Sequence, residues 1–210
     1  MTEIFIVRHG ETAWNVAEVF RGRLDVELNE TGRRQTELLA EYLVGQGIAA
    51  VYASPLARAR QTAAPLAQRC GLDLKIEPGL IDLDFGRWQG LSHQEVKEKF
   101  RELYRVWQYH PEQVRMPEGE SLEEVRERAL ALVNDMLPQQ DGGIVLVSHR
   151  VVNKVLICAL LGLDNSHFWN IRQDTCGITC FDCNQGRYVL NRHNDTSHLP
   201  SRQTPRRSDF

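Results

Sequence analysis

Long hydrophobic runs are missing from this chain. No stretch of about 18 apolar residues occurs in its 210 residues, which excludes a membrane-spanning helix. A surplus of charge of one sign is missing as well. Lys plus Arg number 25 and Asp plus Glu 28, a formal charge of −3, which argues against a general binder of nucleic acid or another polyanion. Cysteines are few and odd in number, five, unlike the framework of a small secreted disulfide protein, so a reducing cytoplasm is the expected compartment. The segment from Met1 to Glu11 has an acid at Glu3 and the pair Arg8-His9 interrupting its apolar run, so it does not read as a signal peptide. No self-similarity with a period of roughly 20–50 residues is present. What is there is 42% hydrophobic and 25% charged residues, an ordinary globular composition with enough length for one good-sized core or at most two small ones.

Periodicity predicts alternating strands and helices. Ile4–Val7, Ala50–Ala53, Leu74–Ile76 and Ile144–Val147 are short apolar runs of the kind found in buried strands. Helical spacing covers Glu30–Gln46, Leu56–Cys70 and Val151–Leu161, the last two closed by Gly71 and Gly162. A charged surface helix is predicted over Ser92–Val106. Ser121-Leu122-Glu123-Glu124 fits a capping box ahead of the stripe Leu122, Val125, Ala129, Leu132, Val133 and Met136, with Pro138 marking its end. Two last strands near Ile178–Phe181 and Tyr188–Leu190 are joined by an Asn-Gln-Gly turn. The expected fold is an α/β three-layer sandwich with a mostly parallel central sheet flanked by helices. Residues 1–192 form the expected domain, and 193–210 a C-terminal tail, either mobile or folded over the site through 194–199.

Ligands bind beyond the carboxyl ends of parallel strands. Four strands deliver suggestive residues there: Arg8-His9-Gly10-Glu11, Ser54-Pro55-Leu56-Ala57-Arg58, Asp82 with Asp84, and Ser148-His149-Arg150. Two imidazoles, several guanidiniums and a carboxylate suit a phosphate dianion and a nitrogen nucleophile. Arginine offers a planar fork of donors to phosphate oxygens, and its charge keeps a neighbouring histidine neutral and nucleophilic. Each residue also has a plainer reading: a turn histidine, surface ion-pair arginines, a core histidine at 149, a turn-capping aspartate. Cys180 and Cys183 form a C-x-x-C pair, but alternate faces of a strand would separate them, and buried thiols are expected rather than a metal site. Trp88, Trp107 and Tyr109 fit either a substrate mouth or core packing.

Val7-Arg8-His9-Gly10-Glu11-Thr12 resembles the signature of the histidine phosphatase superfamily, in the branch that contains cofactor-dependent phosphoglycerate mutase. Trp14-Asn15, Leu28-Asn29-Glu30-Thr31-Gly32 with Gln35, and Ser54 through Ala63 follow in the family's order. So do Leu80-Ile81-Asp82 with Phe85-Gly86 through Gln89-Gly90, then Gly119-Glu120-Ser121, then Val147-Ser148-His149. The resemblance implies that His9 takes the phosphoryl group as phosphohistidine. Arg8, Arg58 and His149 would hold its oxygens with Asn15 assisting, and Asp82 would serve as general acid and then base. It implies no metal and no cofactor, because arginine and imidazole supply the positive charge. The partner implied is a small phosphorylated metabolite, with neither nucleic acid nor membrane, and a homodimer is a reasonable assembly. Three departures stand out. Asp82 replaces the family's usual Glu, with Asp84 as a rival; Arg21-Gly22 stands where Gln-Gly is common; Arg150 follows His149 where Gly is common. Hydrolysis of a phosphomonoester is the expected reaction, since only residues 91 to 118 occupy the region where mutases carry a longer insertion. A phosphoglycerate mutase is the alternative, and a non-catalytic phosphate-binding module a third.

Overall fold

The computed structural model describes residues 2–137 and 142–200. The chain runs β1 (Thr2–Arg8), α1 (Ala13–Val16), α2 (Glu30–Leu43), β2 (Ile48–Ala53), α3 (Ala57–Cys70) and β3 (Leu74–Ile76). It continues through α4 (His93–Lys99), α5 (Arg101–Tyr109), α6 (Leu122–Met136), β4 (Gly143–Ser148), α7 (Arg150–Leu160), β5 (Ile178–Asn184) and β6 (Arg187–Asp195). One six-stranded sheet has the order β3-β2-β4-β1-β5-β6. β3, β2, β4 and β1 pair in parallel, and β5 pairs antiparallel with both β1 and β6. β5 therefore runs against the other five strands, and the sheet is mostly parallel as expected.

The pleat explains the three layers. Ile4, Ile6, Tyr52, Ile144 and Leu146 face a core built with α6 and α7, while Phe5, Val7, Val51, Val145 and Val147 face α2 and α3. β4, flanked by β1 and β2, is buried along its whole length, which is why it reads as an unbroken apolar run. Asn29 and Ser121 cap α2 and α6 through their side chains, Ser121 with the reciprocal Glu124 contact of a capping box. Gln185 (φ 50°) and Gly186 (φ 76°) turn β5 into β6 with the doubly left-handed geometry of a two-residue hairpin.

The structure corrects one expectation and adds detail to two others. The single helix predicted over Ser92–Val106 is two, broken at Phe100 (φ −129°, ψ 40°). The break turns α5 so that Tyr104 and Trp107 enter the core, and no feature of the charge pattern marks it. Trp88 and Trp107 are core side chains packed edge to face, whereas Tyr109 is 73% exposed. The boundary expected at 192/193 falls inside β6. Residues 194–199 fold back, with Asn194 Oδ1 accepting from the Asp174 amide, His198 against the Tyr42 ring of α2, and Leu199 on the α2–α3 side of the core. Residues 201–210 of the tail and Pro138 lie outside the described residues. Cys180 packs with the α2–α3 core and Cys183 with the opposite one, so the pair cannot share a ligand. Among the described residues no helix is long and apolar enough to cross a membrane.

Candidate active site

Strand register brings the chemistry together. Arg8 stands opposite Ser148, and Ala53 opposite Val147, so β1, β2 and β4 end at one edge of the sheet. The backbone continues the pairing one step further: the His9 amide donates to the Ser148 carbonyl (2.9 Å), and the Ser54 amide to the Val147 carbonyl (3.0 Å). The loop after β1 is then pinned from three sides. The Gly10 amide donates to Thr62 Oγ1 (2.9 Å), the Glu11 amide to Gln35 Oε1 (2.9 Å), and Asn29 Nδ2 to the Glu11 carboxylate (2.9 Å). Gly32 is required in the first turn of α2, because a β-carbon there would sit 2.1 Å from the Glu11 carbonyl oxygen.

His9 is wholly buried, and its Nδ1 lies 2.7 Å from the Gly10 carbonyl. A carbonyl only accepts, so Nδ1 carries the proton and Nε2 keeps its lone pair. Nε2 is buried with no hydrogen-bond partner. Burial first, then the charges of Arg58, Arg8 and Arg21, hold the His9 pKa well below the usual histidine value. The site thus presents a neutral, pre-oriented imidazole nitrogen.

His149 lies beside it, ring centroids 5.2 Å apart. Arg58 Nε donates to its Nδ1 (3.2 Å), which places its own proton on Nε2, 2.7 Å from Ser54 Oγ. Burial, Arg58 and His9 hold this ring neutral as well. Arg58, on the first turn of α3, is fully buried; its Nη2 meets Asp82 Oδ2 (3.2 Å) and the Gly22 carbonyl (2.7 Å), and its Nη1 the Leu24 carbonyl (2.9 Å). Asp82 Oδ2 is also 3.7 Å from His149 Nδ1, while its Oδ1 accepts from the Leu83 amide. Arg8 is aimed by the Gln173 carbonyl, which accepts from Nη1 at 2.5 Å. Asp84, the rival acid, is turned away. It accepts from the Gly86 amide and pairs with Arg23 (3.4 Å), so it caps a turn.

The remaining sequence candidates are Asn15, Gly22, Arg21 and Arg150. Asn15 Oδ1 accepts from the Thr12 amide and hydroxyl (2.9 Å each), completing the capping box of α1. Gly22 has φ +52° and Gln89 against it, and its carbonyl anchors Arg58. Arg21 lies within electrostatic reach of Arg8, Arg58 and Arg150.

Several contributors escaped sequence reasoning. Ser54 follows the second strand as expected, yet its contact with His149 needs the β2–β4 pairing to be seen. Gln173 orients Arg8 through a backbone carbonyl and is itself held by Asn153 and Thr179, an arrangement with no sequence signature. Arg128 of α6 donates to the carbonyls of Gly79 and Asp82 and pairs with Glu120, whose carboxylate also accepts from the Asp84 amide. Gly119-Glu120-Ser121 thus holds the Asp82 loop in place.

Two buried neutral histidines make stability depend on pH. The unfolded chain protonates them below about pH 6.5 while the folded chain resists, so stability present above that pH is lost as pH falls. The slope is up to about 1.4 kcal/mol per pH unit for each histidine. Urea unfolding at pH 7, 6 and 5 should show a falling midpoint, and His9→Asn should flatten the fall. An unchanged slope in that variant would contradict the neutral His9.

The family model of the histidine phosphatase superfamily (branch 1) matches residues 4–196. The chain belongs to this superfamily. Phosphoserine phosphatase 1 of Hydrogenobacter thermophilus is 34% identical over 200 residues, 95% of each chain. A probable phosphoglycerate mutase GpmB of Yersinia pestis is 32% identical over 205 residues, again 95% of each. Among solved structures, a mycobacterial glucosyl-3-phosphoglycerate phosphatase in complex with VO3 superposes with a TM-score of 0.86 at 29% identity, covering 92% of this chain and 99% of that one. Every block that carries the histidine phosphatase resemblance falls inside the matched span. Several have a place at the site: Arg8-His9 and Ser148-His149 line it, Ser54–Ala63 contributes Arg58 and Thr62, and the Asn29–Gln35 block holds the loop after β1.

Proposed function

We propose that this protein is a phosphomonoesterase that hydrolyses a small phosphorylated metabolite through a phosphohistidine on His9. The observation that carries the proposal is the His9 ring itself. It is fully buried, protonated on Nδ1 by its donation to Gly10, and presents an unpartnered Nε2 beside His149 and two guanidiniums. In the proposed reaction Nε2 attacks phosphorus and the bond to the leaving oxygen breaks. Arg8, Arg58 and His149 stabilise charge on the phosphoryl oxygens from positions fixed beforehand. A bound phosphoryl group opposes the burial and the Arg58 charge that keep His149 neutral, so His149 takes up a proton from solvent and donates a hydrogen bond to a phosphoryl oxygen. Asp82 Oδ2 takes up the proton of an ester bound as the monoanion, delivers it to the leaving oxygen as that bond breaks, and then takes one from the water that cleaves the phosphohistidine. Positive charge comes from guanidinium and imidazole, so the purified protein should hydrolyse an aryl phosphate in excess chelator; loss of turnover under chelation would reject this chemistry.

Asp82→Asn separates acid catalysis from the rest. Turnover of an alkyl phosphate, whose leaving oxygen needs a proton, should fall by about 10²–10⁴-fold. An aryl phosphate with a good leaving group should lose far less. Equal losses would remove Asp82 from the acid role.

The similarity to GpmB supports a second reading, a phosphoglycerate mutase, in which the phosphoryl group returns to a second hydroxyl. Residues 91 to 118 favour water instead. They contribute Val96, Tyr104, Trp107, Val114 and Met116 to the core, leaving little of this short segment to cover the site. Interconversion of 3- and 2-phosphoglycerate faster than release of phosphate would decide for the mutase.

A further inference from the structure

The two ring nitrogens of His149 have different surroundings. Nδ1 lies toward the reacting groups, with Arg58 Nε 3.2 Å away and Asp82 Oδ2 3.7 Å away. Nε2, on the far side of the ring, lies 2.7 Å from Ser54 Oγ. Ser54 is held there by backbone. It follows β2 directly, and its amide donates to the carbonyl of Val147, two residues before His149 (3.0 Å). The Leu56 amide then donates to Ser54 Oγ (3.3 Å) and fixes where the hydroxyl oxygen sits. Ser54 and His149 are both wholly buried, so a partner lost here is not replaced by bulk water.

The donor inventory decides the protonation. Arg58 Nε can only donate. Had Ser54 given its proton to Nε2, the neutral ring would carry its own on Nδ1, and two donors would face each other across 3.2 Å. The neutral ring therefore keeps its proton on Nε2 and gives it to Ser54, and Nδ1 holds the lone pair. A proton taken up from solvent has one vacant position, Nδ1. Once it is there, Arg58 Nε has lost its acceptor, and an oxygen between the two groups can accept from both.

We propose that Ser54 is the positioning residue for His149: by holding the Nε2 proton in both charge states, it commits Nδ1 to receive the added proton and to donate to a phosphoryl oxygen. This rests on the reading in which His149 donates to the phosphoryl group. The charged groups facing the ring are Arg58 of α3, Arg21 before it, Arg128 of α6, His9 beside it and Asp82. The arginines oppose a charged ring and Asp82 favours it. Ser54 adds a preference for the charged ring without a charge of its own, because a charge-assisted hydrogen bond is about twice as strong as a neutral one.

Nitrogen-15 NMR of the histidine rings tests it, with His149 assigned by its absence in His149→Asn and with tungstate, a tetrahedral dianion, as the probe. The free wild type should show the Nε2–H tautomer at His149, and saturating tungstate should add a proton at Nδ1. Ser54→Ala should lower the pH at which the tungstate-bound ring loses that proton by about one unit, with the pH profile of kcat on an aryl phosphate displaced by the same amount. Ser54→Thr keeps the hydroxyl and should move both back toward the wild type. An Nδ1–H tautomer in the free wild type overturns the proposal, as does a His149 ring that stays neutral under tungstate. So does a folded Ser54→Ala with an unshifted titration, whatever its activity, since a merely structural serine would leave the titration alone. Should Ser54→Ala fail to fold, the wild-type tautomers still decide. A wild type that turns over no ester, yet gains the Nδ1 proton with tungstate and loses it one unit lower in Ser54→Ala, would refute the phosphatase reading and leave the role of Ser54 intact.

Discussion

Replacing His9 by alanine should abolish turnover and, with it, the acid-labile phosphate that transiently labels the protein. No other side chain in the site combines a free lone pair with a fixed direction. His149 has Nδ1 engaged by Arg58 and Nε2 by Ser54, so it cannot stand in as nucleophile. The arginines carry no lone pair of comparable basicity. Removing a covalent nucleophile typically leaves only what binding and electrostatic stabilisation supply, so a loss of roughly 10³–10⁶-fold in kcat is expected. Binding should survive, because Arg8, Arg58 and His149 are held by contacts that do not pass through the imidazole. Alanine also removes a buried ring whose neutrality is enforced, so the variant should lose less stability in mild acid than the wild type. Two measurements decide: rapid quench with a ³²P-labelled ester, where the wild type shows phosphoprotein and the variant none, and calorimetry with inorganic phosphate. Phosphoprotein persisting in His9→Ala would move the nucleophile elsewhere.

The parts of this molecule that were legible in sequence are those where one local pattern sufficed. The apolar run of β4, the capping box at Ser121, the glycine stop after α3 and the residues that end β1 and β4 each follow from a few neighbouring side chains. The site residues were legible for a further reason: parallel strands place their carboxyl ends together, so Arg8, His9 and His149 had to meet if the strands paired as the runs implied. Long-range contacts were not legible. The break at Phe100 depends on packing against Trp88 and Arg87. Asp82 and Asp84, two residues apart, differ in that Arg58 reaches one and Arg23 the other, a contrast made by long-range contacts. Gln173 acts through its carbonyl, which every residue possesses, so no residue type could have advertised it. Segment 194–199 has the polar composition of a loose tail, yet Asn194 accepts from the Asp174 amide, donates through Nδ2 to the Asp174 carboxylate and through its own amide to Thr179 Oγ1, and so locks it to the sheet.

Arg58→Ala should be the most damaging substitution that leaves the nucleophile in place, because one guanidinium links every part of the site. Its removal strips a donor from His149 Nδ1, the counter-charge from Asp82, and the anchor from the Gly22 and Leu24 carbonyls that fix the loop carrying Arg21. Breaking one side of a buried ion pair typically costs about 3–5 kcal/mol, since the partner is left buried and uncompensated. Asp82 is 4% exposed and fits that description. On the catalytic side, a preorganised donor to developing phosphoryl charge is worth about 10²–10³-fold. Displacement of Asp82 and of the Gly22 loop compounds it, so kcat/KM should fall by at least about 10³-fold. Arg58→Lys distinguishes charge from geometry. An ammonium restores the positive charge but cannot reach His149, Asp82 and two carbonyls from one planar fork, so stability should recover in part while activity stays low. Urea unfolding and kcat/KM on an aryl phosphate, measured for both variants, check the two halves separately. If lysine restored full activity, the guanidinium would matter only as a charge, and the arrangement of donors around His149 would have to be abandoned as the reason this site is built as it is.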